Sequence, residues 1–132
     1  MKKLIVLLLL FTSICNIQAQ WAKITFHKFT VISTNDFDGE DEVKVRIGNT
    51  SYELGSFKDG ESISLSSKIG TVRFKNRIEI NFKEKDVWAD DYLKTIYVDY
   101  EDASYGGVMT GTIYQGIART THYEITYTVS RT

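Results

Sequence analysis

The chain is predicted to be all-β, an antiparallel β-sandwich of about eight strands, on three observations. Past Gln20 no stretch repeats apolar residues at helical spacing, whereas apolar and polar residues alternate in one segment after another. The alternating residues are mostly β-branched or aromatic, the types that fit a half-buried pleated surface. Turn signals separate the segments at the spacing of a sandwich or barrel: Asp38-Gly39, Gly48-Asn49, Asp59-Gly60, Ile69-Gly70, Lys75-Asn76 and Gly106-Gly107.

The chain opens with Met1-Lys2-Lys3, an apolar run from Leu4 to Phe11 and a polar stretch to Ala19. This pattern predicts an export leader of bacterial type over residues 1–19, cut near Ala19. The run is shorter than the roughly 20 apolar residues that a membrane-spanning helix needs. A single domain over 20–132 is then expected outside the cytoplasm, in the periplasm or beyond the cell. The leader holds two bases and no acid, so of 16 basic and 17 acidic side chains, 14 and 17 remain, a net charge of −3. That balance excludes a strongly basic nucleic-acid binder. The one cysteine, Cys15, lies in the leader, which excludes thiol catalysis, cysteine-ligated zinc and disulfides from the remainder. A chain of about this size is able to rest on its apolar core.

The first strand region runs from Trp21 to Ser33. Ile24 and Phe26 share one phase and Phe29 and Val31 the other, so a bulge near His27 is expected to reset the register. Val43, Val45 and Ile47 then alternate with Lys44 and Arg46, and Ile78, Ile80 and Phe82 alternate with Glu79 and Asn81. Ile63 with Leu65, Val72 with Phe74, and Ile96 with Val98 form shorter pieces. The last segment places Tyr123, Ile125, Tyr127 and Val129 against His122, Glu124, Thr126 and Thr128. Each pattern buries one face and wets the other, as antiparallel sheets do. Proline is absent, so charge, bulges or short strands must guard the sheet edges.

Acids gather in two segments between strands. Residues 35–42 read Asn-Asp-Phe-Asp-Gly-Glu-Asp-Glu, five carboxylates without a base, and residues 84–91 read Glu-Lys-Asp-Val-Trp-Ala-Asp-Asp. Like charges packed this closely repel. A hard cation relieves that repulsion, and calcium accepts six to eight oxygens in forgiving geometry. An EF-hand does not fit: with Gly39 as its sixth residue, the loop would begin at Thr34 and end at Val45.

The segments Asp36-Phe37-Asp38-Gly39-Glu40-Asp41-Glu42-Val43-Lys44-Val45 and Glu84-Lys85-Asp86-Val87-Trp88-Ala89-Asp90-Asp91-Tyr92-Leu93 resemble two loops of the calcium/lipid-binding β-sandwich, the C-two domain of the protein kinase C and synaptotagmin type. The closing segment from His122 to Val129 is similar to the last strand of secreted bacterial relatives. The resemblance implies a calcium site whose ligands come from Asp36, Asp38 and Asp41 in the first loop and from Glu84, Asp86, Asp90 and Asp91 in the second. Glu84 stands where the family has Asp, and Lys94 where it has Gly after the leucine. A strand from Asp91 to Val98 climbs about 20 Å, so Asp99, Glu101 and Asp102 are expected at the opposite end and outside the site.

Phe37, Val87 and Trp88 sit among the acids as candidate contacts for a partner, a protein or glycan surface ahead of a membrane surface. The two histidines, His27 and His122, are read as surface residues. No Gly-x-Ser-x-Gly element is present, and crowded acids in a small domain do not make a glycosidase cleft. The resulting expectation is a secreted, non-enzymatic binding module with calcium as its cofactor. The alternative is a metal-free interaction or inhibitor protein that uses Tyr105, Tyr114, Tyr123 or Trp88.

Overall fold

β1 (Trp21–Ser33) pairs with the last strand, β9 (Thr121–Arg131), and their register skips between Phe26 and Lys28. His27 is the extra residue, as the phase change in the sequence predicts. It lets Ile24 and Phe26 on one side of the bulge, and Phe29 and Val31 on the other, all point inward and be fully buried. The computed structural model describes residues 19–34, 41–85, 90–115 and 121–132, apart from the side chains of 90–92 and 115. The leader expected at the front therefore lies outside the described residues, Ala19 excepted.

Between β1 and β9 come β2 (Asp41–Ile47), β3 (Thr50–Phe57), β4 (Ser62–Ser64), β5 (Thr71–Lys75), β6 (Arg77–Lys85), β7 (Asp90–Asp99), a 3-10 turn over Tyr100–Ser104, and β8 (Met109–Gln115). The strands form two antiparallel sheets. One has the order β4-β1-β9-β8, with β5 also on β1, and the other has the order β3-β2-β6-β7. This is a β-sandwich, with nine strands among the described residues where about eight are expected.

Two of these strands are hard to see in the sequence, and both contain glycine. In β3, Gly55 takes φ +121 where the β2–β3 register shifts, so Leu54 and Phe57 are both buried although they are three residues apart. In β8, Gly111 occupies an inward position. A Cβ there would lie 2.5 Å from Ile96 Cδ1 and 3.1 Å from Ile125 Cγ2, so the space an alternating apolar residue would fill is already taken.

The core between the sheets is centred on Phe29. Its ring stacks on Phe82 at 5.8 Å, meets Phe57 edge-on at 5.4 Å, and lies 5.4 Å from Tyr123. The exposed edges are guarded without proline. Lys68 Nζ donates to the Leu54 carbonyl at 2.9 Å on the outer edge of β3, and Lys94 Nζ reaches the Thr112 carbonyl at 3.4 Å on the outer edge of β8.

Asn76 alone joins β5 to β6 and carries the chain from one sheet to the other. It takes φ +59, and its backbone N–H donates to the Gln20 carbonyl at 2.9 Å while its own carbonyl accepts from Tyr100 N–H at 2.7 Å. Beside it Arg77 forks onto Asp99, with Nε–Oδ1 at 2.5 Å and Nη2–Oδ2 at 3.0 Å, which holds the Asp99 carboxyl below its ordinary range. The left-handed conformation costs a residue with a Cβ about 1–2 kcal/mol, and Asn bears it better than most. Asn76→Ala is expected to lower the melting temperature by about 5 °C, and Asn76→Gly to lower it less; thermal unfolding of both variants checks this.

Candidate functional site

The anchors of both acidic segments lie at one end of the sandwich. β1 leaves that end at Ser33, paired with His122, and β2 begins there at Asp41. β6 reaches the same end at Lys85 and β7 starts from it at Asp90, opposite Lys85. The β2–β6 register puts Val43 opposite Glu84. Asp99, opposite Arg77, lies at the other end with Glu101 and Asp102, as expected from the length of β7.

The inward phase of β2 runs through Ile47, Val45 and Val43 to Asp41, and that of β6 through Ile78, Ile80 and Phe82 to Glu84. Asp41 is fully buried and Glu84 is 5% exposed. They are diagonal neighbours on the inner face of adjacent strands, a relation in which residues stand roughly 7–8 Å apart and their Cβ atoms somewhat closer. The facing sheet adds oxygen from β9. Tyr123, also fully buried, donates its hydroxyl to Asp41 Oδ2, and Thr121 is fully buried, two residues nearer the end. The Thr121 hydroxyl has no hydrogen-bond partner among the described residues. Two carboxylates and two hydroxyls are thus buried at this end of the sandwich, and one hydroxyl, that of Tyr123, meets one carboxylate, that of Asp41. Their chemistry is that of hard oxygen donors, which suits calcium and not a metal that prefers thiolate or imidazole.

The turn between β3 and β4 steadies this end. Asp59 Oδ1 accepts from Thr34 N–H at 2.7 Å, immediately ahead of the first acidic segment, and Gly60 N–H donates to the Val31 carbonyl at 2.8 Å. Asp59 is an acid at this end that the reading of the sequence passed over.

The remaining sequence-predicted residues divide plainly. Asp36, Phe37 and Asp38, with Asp86, Val87 and Trp88, lie outside the described residues. Asp90 and Asp91 are placed by backbone register only, opposite Lys85 and Glu84. Among the described residues no group of three or more His, Cys, Asp or Glu is close enough to hold a metal ion. Tyr123 is corrected: as part of an aromatic surface it would have to be exposed, and its place in the inward phase of β9 buries it completely. His122 does point outward, but the Tyr114 ring lies against it, tilted by 34° with centroids 4.3 Å apart, Glu124 Oε1 stands 3.6 Å from Nε2, and its side chain is only 19% exposed. His27 is part-buried at the bulge, with Nε2 3.1 Å from Thr128 Oγ1.

No family model and no curated protein matches the chain. Solved structures do. The paired C2 domains of extended-synaptotagmin 2 superpose with a TM-score of 0.51 at 12% identity, over 85% of this chain and 40% of that one. The calcium-bound form of the same pair gives 0.50 at 12%, over 85% and 45%. A single C2 domain gives 0.46 at 14%, over 84% and 98%. The chain thus spans about two fifths of the two-domain structures. Its fold is a C2-like β-sandwich.

Proposed function

We propose that this chain is an exported, non-catalytic binding module that takes up calcium at its acidic end. The ligands are drawn from Asp36, Asp38, Asp41, Glu84, Asp86, Asp90 and Asp91, with Phe37, Val87 and Trp88 presented to a protein or glycan surface. The observation that supports this most is the burial of Asp41 and Glu84 on one inner face, at the end where both acidic segments are anchored. Two acids held this way repel, and an ion bound beside them relieves that repulsion. The calcium-bound extended-synaptotagmin structure supports the reading through its shared fold alone.

Extracellular calcium modules bind with dissociation constants on the order of 10⁻⁴–10⁻³ M. At ten times that concentration, calcium adds about 1.4 kcal/mol to stability. Thermal unfolding in millimolar calcium is expected to give a midpoint about 5 °C above that in chelator. Coincident midpoints would remove the metal from the proposal.

A second reading, a metal-free interaction protein, is favoured by one observation. Tyr105 and Val108, in the connection from β7 to β8, are 75% and 67% exposed, more than any other large apolar side chain described. Capture of a partner that survives chelator and is lost in Tyr105→Ala would favour it.

A further inference from the structure

The end of the sandwich opposite the acidic segments holds an open cleft of about 970 Å³, whose lining includes Trp21, Arg73, Asn76, Arg77, Asp99 and Glu101. Clefts that take small ligands measure roughly 300–1,000 Å³. Trp21 opens β1 at an outward position opposite Lys75 and is 41% exposed. Its neighbour Ala22 supplies the core contact at this point, so the packing between the sheets leaves the indole unused.

The polar lining is held in place. The Arg73 guanidinium lies over the Trp21 ring, 4.6 Å from its centroid, and Arg131 lies over Tyr100, which also lines the cleft, at 5.1 Å. The fork onto Asp99 fixes Arg77 and keeps the Asp99 carboxylate ionised. Gln20 N–H donates to Asn76 Oδ1 at 3.2 Å, which orients that carboxamide and leaves its Nδ2 as a donor. Glu101 is exposed on the 3-10 turn, and its carboxylate has no partner among the described residues.

Two guanidinium groups and two carboxylates thus line one cleft, and their charges cancel. An anionic ligand would meet Asp99 and Glu101, and a cationic one Arg73 and Arg77. The set matches an uncharged molecule rich in groups that both donate and accept, as hydroxyls do. A sugar ring also has a face of C–H bonds, whose slightly positive hydrogens pack on the negative face of an indole. We propose that this cleft binds a neutral saccharide, with Trp21 as the platform for a ring and Arg73, Asn76, Arg77, Asp99 and Glu101 as partners of its hydroxyls. The site is separate from the acidic end and needs no calcium.

The test is calorimetry and tryptophan fluorescence, in chelator, with neutral oligosaccharides built from glucose, mannose, galactose, xylose or N-acetylglucosamine. Oligogalacturonate and a heparin fragment serve as charged controls. At least one neutral member is expected to bind saturably. Trp21→Ala should weaken that binding about tenfold or more, whereas Trp21→Phe should keep most of it. Glu101→Ala, on the exposed turn and away from the core, should weaken it several-fold and gives an independent reading at an unchanged melting temperature. Binding by no neutral member, binding by the charged controls alone, or undiminished binding in Trp21→Ala would each overturn the inference. Binding that requires calcium and is lost in Trp88→Ala would overturn it as well, while leaving the function proposed above in place.

Discussion

Phe29→Ala is expected to lower the unfolding free energy by about 3–5 kcal/mol, the usual cost of emptying a buried aromatic site. Domains of this kind have only about 5–15 kcal/mol to lose. The reason is local. Phe29 is the first inward residue after the bulge at His27, and three rings close around it, from Phe57, Phe82 and Tyr123. Two of these belong to the facing sheet, so the truncation loosens the contact between layers as well as one strand. Denaturant unfolding should show a much lower midpoint with an unchanged slope. Thr30→Ala, on the outward face of the same strand, should stay within about 0.5 kcal/mol of the parent. A small effect at Phe29 would mean that β1 runs in a different register.

Tyr123→Phe is expected to cost about 2 kcal/mol. It removes one oxygen and little volume, but that oxygen donates to the fully buried Asp41 across the layers. Removing one partner of a buried hydrogen bond costs roughly 1–3 kcal/mol. The bond also joins β9 to the first residue of β2, where the first acidic segment enters the sheet. Asp41→Asn should be destabilising as well. In a double-mutant cycle the two changes should couple by about 1 kcal/mol or more. Strict additivity would show that the hydroxyl and the carboxylate act independently.

Much of this arrangement is legible in the sequence, because a strand's period of two extends beyond its apolar residues. The alternation that turns Val43, Val45 and Ile47 inward also turns Asp41 inward. The same rule carries Ile78, Ile80 and Phe82 to Glu84, and Val129, Ile125 and Tyr123 to Thr121. Continuing each pattern by one step toward the acidic end finds the buried oxygens of Asp41, Glu84 and Thr121, and the alternation that already groups Tyr123 with Ile125 and Val129 argues against Tyr123 as a surface residue. The bulge at His27 was legible from its change of phase. β8 was not, because Gly111 stands where alternation asks for an apolar side chain, and Ile96 supplies that atom from β7 of the other sheet. β3 was hidden in a similar way by the shift at Gly55. The tie from Asp59 to Thr34 joins residues 25 apart, and pairings of that kind follow from topology, which periodicity does not encode.

The central claim is that the acidic segments 35–42 and 84–91 serve one ion. Calcium titration by calorimetry of the parent chain, of Asp36→Asn with Asp38→Asn, and of Asp86→Asn tests it most directly. If the site is shared, the parent shows saturable uptake, and neutralising either segment alone abolishes it while circular dichroism stays unchanged. Uptake that persists in full when one segment is neutralised would contradict the account, because the ion would then belong to the other segment alone.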